Sequence, residues 1–270
     1  MTSMHCRVAT TQRELDDAVR VRWAVFGGEL GLMTGWMPPS RREVSCFDTL
    51  DTTVHLIVYA DATPVATLRL LLPNPEVADA IGGRLGLELE QKLDLSDVVR
   101  PGMVLAETSR FCVLDGWRHT EAVTRLHAGI HEESLRRGVT HWIASANLDT
   151  DSREDALLSC QVAAYRGWMS TRWRVDVPEP VEAPVIPSNP YYTPLERLRA
   201  EQGLLDGLRV PRAPTLFARK MGARFISEPL YDASFRRFTL PLIAALDEIP
   251  RSTLARFNAL EQQQPFRRAA

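Results

Sequence analysis

Two charged residues lie inside a stretch that is otherwise typical of a β-strand, LAETSRFCVLDGWRHT at positions 105–120. Glu107 and Arg110 are three positions apart, and because side chains alternate along a strand, we expect them on opposite faces of the sheet. If helices cover both faces, each charge needs a partner, since an unpaired buried ion costs several kcal/mol. Taken alone, such a pair is more often a structural ion pair than a catalytic one.

Charged residues in other predicted elements provide candidate partners for this pair. They stand at the end of the first helix (Arg22), in a long early loop (Glu43 and Asp48) and on a hairpin (Arg69). With the pair itself they make three acids and three bases in a largely apolar chain. A positioned carboxylate can act as a general base and a guanidinium can fix a carboxylate, so the sequence predicts a charged wall of a cleft.

Hydrophobic periodicity and turn signals predict the elements that must position these residues. In the first half they are a helix over about 12–26, a long loop, a β-hairpin over 54–73, a strand over 103–114 and a helix over about 120–137. In the second half they are a strand over 139–147, a helix over 149–168, a Pro-rich crossover over 175–194, helices over 194–208 and 213–223, and strand candidates over 224–232 and 236–246. This order predicts a mixed sheet covered by helices.

Composition limits the classes of function. Of the 270 residues, 45% are apolar and 24% charged, with a formal net charge of −2, so nothing indicates a nucleic-acid binder held by bulk electrostatics. The four cysteines are scattered without metal-binding spacing, which predicts reduced thiols and no bound metal. No signal-peptide core and no run of about 20 apolar residues is present, so we expect a soluble, cytoplasmic protein without a transmembrane segment.

Five blocks in order carry a resemblance to a known family: VRWAVF, ELG, EVSCFD, ATLRLLLP and ETSRF. Over roughly residues 15–150 they resemble the acyl-homoserine-lactone synthases, whose pattern includes an Arg-Leu-Leu-Pro-type strand and Glu-x-Ser-Arg-Phe. Through FDTLDTTVHLIVY, LDLSDV and KMGARFISEPLYDASF the chain is also similar to long-chain N-acyl amino acid synthases and ornithine-lipid-type acyltransferases.

The resemblance implies the acetyltransferase-like (GNAT) fold, an α/β fold whose mixed, mostly antiparallel central sheet is flanked by helices and splayed between its fourth and fifth strands. Residues 1–175 would form the acyltransferase core with the motifs. Residues 176–270, with the Pro-rich crossover and the later helices and strands, would complete the same domain. No cofactor is expected to be tightly bound, and the co-substrate would be an acyl-phosphopantetheine thioester, carried by acyl carrier protein or as acyl-CoA.

The same resemblance assigns roles residue by residue. The implied catalytic residues are Glu107, Arg110, Asp48, Arg69 and Glu43. The implied substrate-binding residues are Arg22, Phe26, Trp36, Ser109, Phe111, Cys112 and Val113. Glu107 would take the proton of the amine, while Arg69 and Arg110 would fix acids or a substrate carboxylate. Phe26 and Phe111 would line the acyl channel, and a backbone N–H near the end of this strand would hold the oxyanion.

Two departures from the family pattern refine these expectations. The lactone synthases usually have a further acid between Glu43 and Asp48, where this chain has Ser45, which argues against S-adenosylmethionine as the amine donor. Coenzyme-A enzymes of this fold usually open the helix after the fourth strand with a glycine-rich loop that grips pyrophosphate, whereas GWRHTEAVTRL has no glycine after its first residue. Residues for contact with an acidic carrier protein would be Arg118, His119 and Arg125.

Three functions follow from these observations. The preferred one is an amide-forming N-acyltransferase that moves an acyl group from acyl carrier protein to an amino acid or similar amine. The alternatives are an acyl-homoserine-lactone synthase that uses S-adenosylmethionine, and a non-catalytic module that binds an acyl chain or its carrier. The acceptor, the acyl length, the choice between carrier protein and coenzyme A, and the oligomeric state stay open.

Overall fold

A computed structural model describes residues 3–32, 40–50, 52–178 and 183–263 of the chain. Trp36, which the family resemblance places among the substrate-binding residues, lies outside the described residues. The chain forms two compact units, the first from residues 1–91, 103–142 and 251–270 and the second from 92–102 and 143–250. That residues 1–175 and 176–270 together complete one domain stays a prediction.

The described residues of the first unit form four paired strands and four α-helices. Its strands are β1 (Met4–Val8), β2 (Thr53–Ala60), β3 (Thr63–Leu71) and β4 (Leu105–Val113), and they pair in this order, each antiparallel to the next. Its helices are α1 (Gln12–Trp23), α2 (Pro75–Ile81), α3 (Ala122–Arg136) and α7 (Arg251–Gln263). The predicted hairpin, the motif strand and the helices predicted over about 12–26 and 120–137, which are α1 and α3, are confirmed.

Helix α1 begins and ends for identifiable reasons. Thr11 and Glu14 form a capping box, in which the threonine hydroxyl accepts from the amide of Glu14 and the glutamate carboxylate accepts from the amide of Thr11. The helix gives way to a π-helical turn, Ala24–Glu29, so the predicted end at about residue 26 falls inside that turn. The last turn of α1 carries Arg22, whose side chain is completely buried.

Strand β2 lies in the middle of the unit's core, since each of its eight residues is buried. Helix α1 packs on one face, where Ala18 contacts Ile57 and Tyr59. Helix α3 also packs against the strands β1 to β3. A strand buried on both faces has a nearly continuous apolar sequence, and this run predicts the strand from the sequence alone.

Three elements of this unit were not predicted. Strand β1 is short, and its apolar and polar residues alternate only weakly. The sequence of α7 has no strong helical periodicity of apolar residues. Helix α2 does carry signals, because Asn74 caps it, Pro75 is its first residue and the left-handed Gly82 ends it. The sequence analysis assigns no element between the hairpin over 54–73 and the strand over 103–114, and it therefore missed these seven residues.

Strand β4 contains a β-bulge that decides where its charged side chains lie. Thr67 pairs with Cys112 while Arg69 pairs with Ser109, so two residues of β4 oppose one of β3, and Arg110 takes a φ of 55°. The extra residue changes which face the following side chains present. Glu107 and Arg110 consequently both contact the 3₁₀ turn Glu88–Gln91. The expectation of opposite faces, which assumed a regular strand, is wrong.

The remaining strands are those of the second unit. Strands β5 (His141–Asn147), β8 (Arg237–Ala245) and β6 (Arg224–Phe225) are neighbours in that order, and β7 (Leu230–Asp232) pairs antiparallel with β8. The helices are α4 (Arg153–Tyr165), α5 (Pro194–Glu201) and α6 (Arg212–Lys220). These agree with the predicted elements, except that α5 ends earlier and the strand candidate 224–232 forms two short strands. Mostly antiparallel pairing together with packed helices confirms the predicted α/β class, whereas the expected splay of the strands stays a prediction.

The Pro-rich crossover is held by two aspartates, one just before α4 and one in its first turn. Asp151 accepts hydrogen bonds from the amides of Ser188 and Asn189 at 2.9 and 2.7 Å. Asp155 accepts from the amides of Tyr191 and Tyr192 at 2.6 and 3.2 Å. The predicted extended crossover is thus confirmed over its described residues. Among the described helices none is both long enough and apolar enough to span a bilayer.

The turn that approaches β4 is fixed by a carboxylate in a nest of amides. Glu90 accepts hydrogen bonds from the backbone N–H groups of four successive residues, 84 to 87, at 2.7–3.1 Å. Gly86 lies in this nest with a φ of 75°, and a Cβ there would come within 2.3 Å of the carbonyl oxygen of Asn74. Only glycine therefore allows this close approach of two backbone segments.

Replacing Gly86 with alanine should destabilise the protein well beyond the cost of a left-handed alanine, because backbone atoms must also move apart. The matched control is Gly82→Ala, which has a similar φ of 69° but open space around the new Cβ. We expect about 1–2 kcal/mol for the control, measured by urea unfolding, and a clearly larger loss for Gly86→Ala. Equal losses in the two variants would contradict this account of the turn.

Candidate active site

Six charged side chains of the first unit form a closed ring in which positive and negative groups alternate. In ring order the members are Arg22, Asp48, Arg69, Glu88, Arg110 and Glu43. They come from α1, β3, β4, the loop over 40–50 and the 3₁₀ turn Glu88–Gln91. Five of the six were predicted to lie together, and the structure does bring those five together. We call this set the charged ring.

Asp48 joins two arginines of the charged ring. Its Oδ1 lies 2.5 Å from Nη1 of Arg22 and 3.2 Å from Nη1 of Arg69. Its Oδ2 accepts hydrogen bonds from the amide and the hydroxyl of Ser45, at 2.8 and 3.1 Å. Burial alone would raise the pKa of this carboxyl, but Arg22 and Arg69 together hold the pKa well below its usual range. Asp48 is therefore a carboxylate at any physiological pH.

Arg110 closes the other side of the charged ring. Its Nη1 and Nη2 donate to the two oxygens of Glu88 at 3.0 and 2.8 Å, in a forked arrangement, and its Nε donates to Oε1 of Glu43 at 2.9 Å. Glu88 also pairs with Arg69, and Oε2 of Glu43 lies 3.6 Å from Nη1 of Arg22. Despite burial, the two carboxylates raise the pKa of Arg110 above its usual range. Its charge is consequently permanent.

His55 supports Arg22 as a neutral ring. Its Nδ1 lies 2.8 Å from Nη2 of Arg22, and its Nε2 lies 2.9 Å from the carbonyl oxygen of Thr49. Since an arginine can only donate, Nδ1 must accept and Nε2 must carry the proton. Burial and the adjacent charge of Arg22 lower the pKa of His55 to about 4. The imidazole therefore adds no charge to the cluster at neutral pH.

Arg69, like Arg22, is a completely buried member of the charged ring. Its side chain is 0% exposed and it donates to Ser109 at 3.0 Å, to Ser45 at 2.9 Å, and to Asp48 and Glu88. A substrate carboxylate could reach this guanidinium only by displacing one of these partners. Of the two roles expected for it, fixing acids is the one that the geometry supports.

Glu107 lies beside the charged ring without being part of it. Its side chain is buried, and its Oε2 accepts a hydrogen bond from the amide of Leu89 at 2.9 Å. Within the part of the chain that the structure describes, it has no ion pair. The three guanidinium charges are already balanced by three other carboxylates, so ionisation of Glu107 adds an uncompensated charge. Burial, followed by the charge of Glu88, raises the pKa of Glu107 to about 7.

The apolar residues among the predicted set lie in two places. Phe26 and Cys112 pack with Val21 and Val25 in a small core cluster. Burial raises the pKa of the Cys112 thiol above its usual range, which agrees with a structural rather than a nucleophilic cysteine. Phe111 instead stacks on His127 of α3, with ring centroids 4.8 Å apart. The predicted acyl-channel residues Phe26 and Phe111 thus belong to separate contacts, and their role as channel lining stays a prediction.

The backbone of Val113 points away from β3. The amide of Leu114 donates to the carbonyl of Val65, so the pair of residues preceding it, Val113 and Ala66, is a non-hydrogen-bonded pair of the antiparallel ladder. In agreement, the carbonyl of Val113 accepts from Nε of Arg118 at 3.2 Å. The N–H of Val113 points in the same direction as this carbonyl, away from β3.

The residues predicted to contact a carrier protein differ in accessibility. Arg118 pairs with Glu29 and Asp115 and is about a third exposed, at 31%, while His119 is exposed. Arg125 is 8% exposed and pairs with Glu121. Arg118 and His119 are thus the accessible members of that predicted set, and the contact itself stays a prediction.

Sequence reasoning missed two members of this cluster, Glu88 and His55. Glu88 stands in LGLELEQ, where nothing but its charge between two leucines distinguishes it. A count of charges could have found it, because a buried Glu107 that is neutral leaves three arginines with only two carboxylates. His55 lies inside the apolar run of β2, where a single histidine on a buried strand indicates a polar partner on the neighbouring helix.

Removing one arginine from the charged ring should leave its acids buried and unpaired. For Arg69→Met we expect a loss of about 3–5 kcal/mol in the free energy of unfolding, because Asp48 and Glu88 lose a shared partner. The control is Arg20→Met, which breaks an exposed i,i+4 pair with Asp16 and should cost less than about 1 kcal/mol. Urea unfolding with equal losses for both variants would contradict the importance of the ring.

The raised pKa of Glu107 makes stability depend on pH in a predictable direction. Between the unfolded value of 4.5 and the folded value of about 7, the native state binds the additional proton, so this contribution is complete below about 4.5 and is lost as the pH rises through about 7. Glu107→Gln is always neutral and should be more stable than wild type by on the order of 3 kcal/mol at pH 7 and above, with the difference vanishing below about 4.5. Urea unfolding at several pH values measures the difference, and a constant difference would contradict the raised pKa.

Comparison with known proteins addresses the fold. Residues 21–128 match the family model of the acetyltransferase (GNAT) domain. The structure of BjaI, a CoA-dependent acyl-homoserine lactone synthase with SAM and isopentyl-CoA, gives a TM-score of 0.54 at 15% sequence identity and covers 100% of this chain and 94% of that chain. FeeM, an N-acyl amino acid synthase from uncultured soil microbes, gives a TM-score of 0.49 at 11% identity and covers 95% of this chain and 98% of that chain. No curated protein matches the chain.

These similarities differ in what they can support. The similarity to BjaI, at 15% identity, shows a shared fold and says nothing about the substrates of this chain. The TM-score with FeeM is too low to support any conclusion. The domain match covers all six members of the charged ring, and Glu107 as well. The GNAT fold predicted from the sequence blocks is confirmed, and residues 21–128 are the part of the chain that matches the acetyltransferase (GNAT) domain model.

Proposed function

We propose that the protein transfers an acyl group from a thioester to the amino group of an amino acid or a similar amine, with Glu107 as the general base. The observation that carries this proposal is the state of Glu107. It is a buried carboxyl in a GNAT domain, held by one backbone amide and left out of a neutral ring, with its pKa raised to about 7. A catalytic base works best when its pKa is close to the operating pH.

The chemistry follows from matched proton affinities. The α-amino group of an amino acid has a pKa of about 7.7–8.0 in water, so a carboxylate with a pKa near 7 can take its proton directly or through a water molecule. The neutral nitrogen then forms a bond to the thioester carbon and loses its second proton, while the tetrahedral intermediate breaks its C–S bond. That second proton goes to the departing thiolate, which leaves as a thiol, and the proton held by Glu107 returns to the solvent.

The negative charge that develops on the carbonyl oxygen needs a donor. The N–H of Val113 is directed away from β3, which leaves it able to donate to an oxyanion on that side of β4. Arg118 binds the carbonyl of the same residue and thereby helps to fix the orientation of this peptide. This supports the oxyanion role predicted for the end of the motif strand.

The start of α3 favours a carrier protein over coenzyme A as the acyl donor. Glu121 occupies the N-cap position without a capping hydrogen bond from its side chain, and the amide of Ala122 already donates to the hydroxyl of Thr120. A carboxylate at a helix N-terminus repels a pyrophosphate, which would otherwise bind there. The phosphopantetheine arm of a carrier protein has no pyrophosphate, and the accessible Arg118 and His119 could meet its acidic surface.

Ser45 bears on the acceptor. Its hydroxyl lies between Arg69 and Asp48, in the place where the lactone-synthase pattern usually has a further acid. The cluster therefore has one carboxylate fewer in this loop to attract the positively charged S-adenosylmethionine. This favours an acceptor with an ordinary primary amine.

The proposal is tested by offering the purified protein acyl carrier protein thioesters and acyl-CoA of several chain lengths, each with a pool of amino acids and, separately, with S-adenosylmethionine. Mass spectrometry should detect an N-acyl amino acid or a similar amide, with kcat/KM at least about tenfold higher for the carrier thioester than for the coenzyme A thioester. A lactone formed only with S-adenosylmethionine would overturn the acceptor assignment. Tight binding of the acyl carrier without any new amide would indicate a binding module instead.

Glu107→Gln should lower kcat by at least about 100-fold while the protein stays folded, because the amide keeps the shape of the side chain but cannot take a proton. The rate of the wild type should increase as the pH rises and level off above about 7, where Glu107 is ionised. Initial rates between pH 5.5 and 8.5 measure both effects. Turnover close to wild type in the variant would remove Glu107 from the mechanism.

A further inference from the structure

The 3₁₀ turn Glu88–Gln91 brings two adjacent residues to Glu107 and to the charged ring. The amide of Leu89 donates to Oε2 of Glu107 at 2.9 Å, and the carboxylate of Glu88 binds Arg110 at 2.8 and 3.0 Å and also pairs with Arg69. The turn is therefore attached to β4 at two points. Neither Glu88 nor this turn belongs to the residues that the sequence blocks assign.

We propose that Glu88 is the positioning residue that decides whether Glu107 holds or releases its proton. Its ion pairs hold the turn whose amide binds Glu107, and its charge faces the same carboxyl. The inference rests on the proposed function only where it concerns catalysis, because the titration of Glu107 can be observed without any substrate.

The charged groups around Glu107 make Glu88 the decisive one. The largest effects of charge on it come from Glu88 in the turn, Arg69 in β3 and Arg110 in β4 itself. The two arginines favour the ionised form, whereas Glu88 opposes it, and its effect comes second after burial. Each arginine also pairs with a more distant carboxylate, Asp48 or Glu43. Without Glu88, the charge next to Glu107 would therefore become net positive.

The charged ring contains a matched control for this effect. Glu43 and Glu88 both bind Arg110, so removing either one takes one carboxylate from the same guanidinium. Glu43 closes the ring toward Arg22 on α1, and the largest effects on Glu107 come from burial, Glu88, Leu89, Arg69 and Arg110 instead. A purely structural role of Glu88 would make the two substitutions equivalent.

The test follows the carboxyl carbons of ¹³C-labelled glutamate by NMR during a pH titration of the full chain. The signal that is missing in Glu107→Gln identifies Glu107. In Glu88→Gln we expect its midpoint to fall by about one pH unit or more relative to wild type, since a like charge next to it has been removed. In Glu43→Gln the midpoint should stay within about 0.3 of wild type.

A second variant keeps the test decisive if Glu88→Gln does not fold. Glu88→Gln combined with Ser45→Asp restores the number of carboxylates around Arg69, because the hydroxyl of Ser45 already lies 2.9 Å from that guanidinium. The new charge comes from the loop rather than from the turn, so the midpoint of Glu107 should again fall below that of wild type. A midpoint that does not move in either Glu88 variant, or that moves equally in Glu43→Gln, would overturn the inference.

Rates measured on the same variants separate this inference from the proposed function. If Glu107 is the base, the rise of the rate with pH should shift in Glu88→Gln by the same amount as the NMR midpoint. An NMR midpoint that shifts while the rate profile stays in place would leave Glu88 as the residue that controls Glu107 and would remove Glu107 as the base. If the NMR midpoint does not shift but Glu107→Gln no longer forms the amide, Glu107 stays the base and Glu88 does not control its proton.

Discussion

The structure of the first unit depends on the cost of burying guanidinium groups. Arg22 and Arg69 are completely enclosed, and Arg110 nearly so, which is tolerable only if each charge meets carboxylates with good geometry. The closed ring provides this, because every arginine has two acidic neighbours and every acid has two basic ones. Helix α1, the loop over 40–50, β3, β4 and the 3₁₀ turn are tied to one another at this point.

Two local backbone features make the ring possible. The bulge of β4 gives Arg110 a positive φ and turns its side chain toward the 3₁₀ turn. The nest of amides around Glu90, with Gly86 at its centre, holds the other end of that turn. Both are costly on their own, since a non-glycine residue in the left-handed region is strained and a glycine loses more conformational entropy on folding. Costly backbone conformations of this kind cluster at functional sites, and here two of them hold one turn.

The balance of charge within the ring explains the chemical character of its neighbour. Because three guanidinium groups are matched by three carboxylates, and because His55 is neutral, the cluster exerts little net attraction on a further anion. The main influences on the pKa of Glu107 are therefore its burial and the nearby charge of Glu88, and both favour the protonated form. The same arginines that would hold an isolated carboxylate ionised are already occupied. A neutral ring and a carboxyl that titrates near neutral pH are consequences of one arrangement.

The sequence by itself determined the elements and most of the residues of the site. The continuous apolar run of β2, the capping box of α1 and the order of the motif blocks are local signals, and they were sufficient for the hairpin, the motif strand, the α/β class and the GNAT fold. They also identified five of the six ring members and Glu107. The tertiary structure alone decided that Glu88 completes the ring, that Arg110 shares a side with Glu107, and that Arg69 is enclosed by protein groups. The physical reason is that a bulge depends on the register between two strands, and an ion pair on distance through space, and neither quantity is a property of a short stretch of sequence.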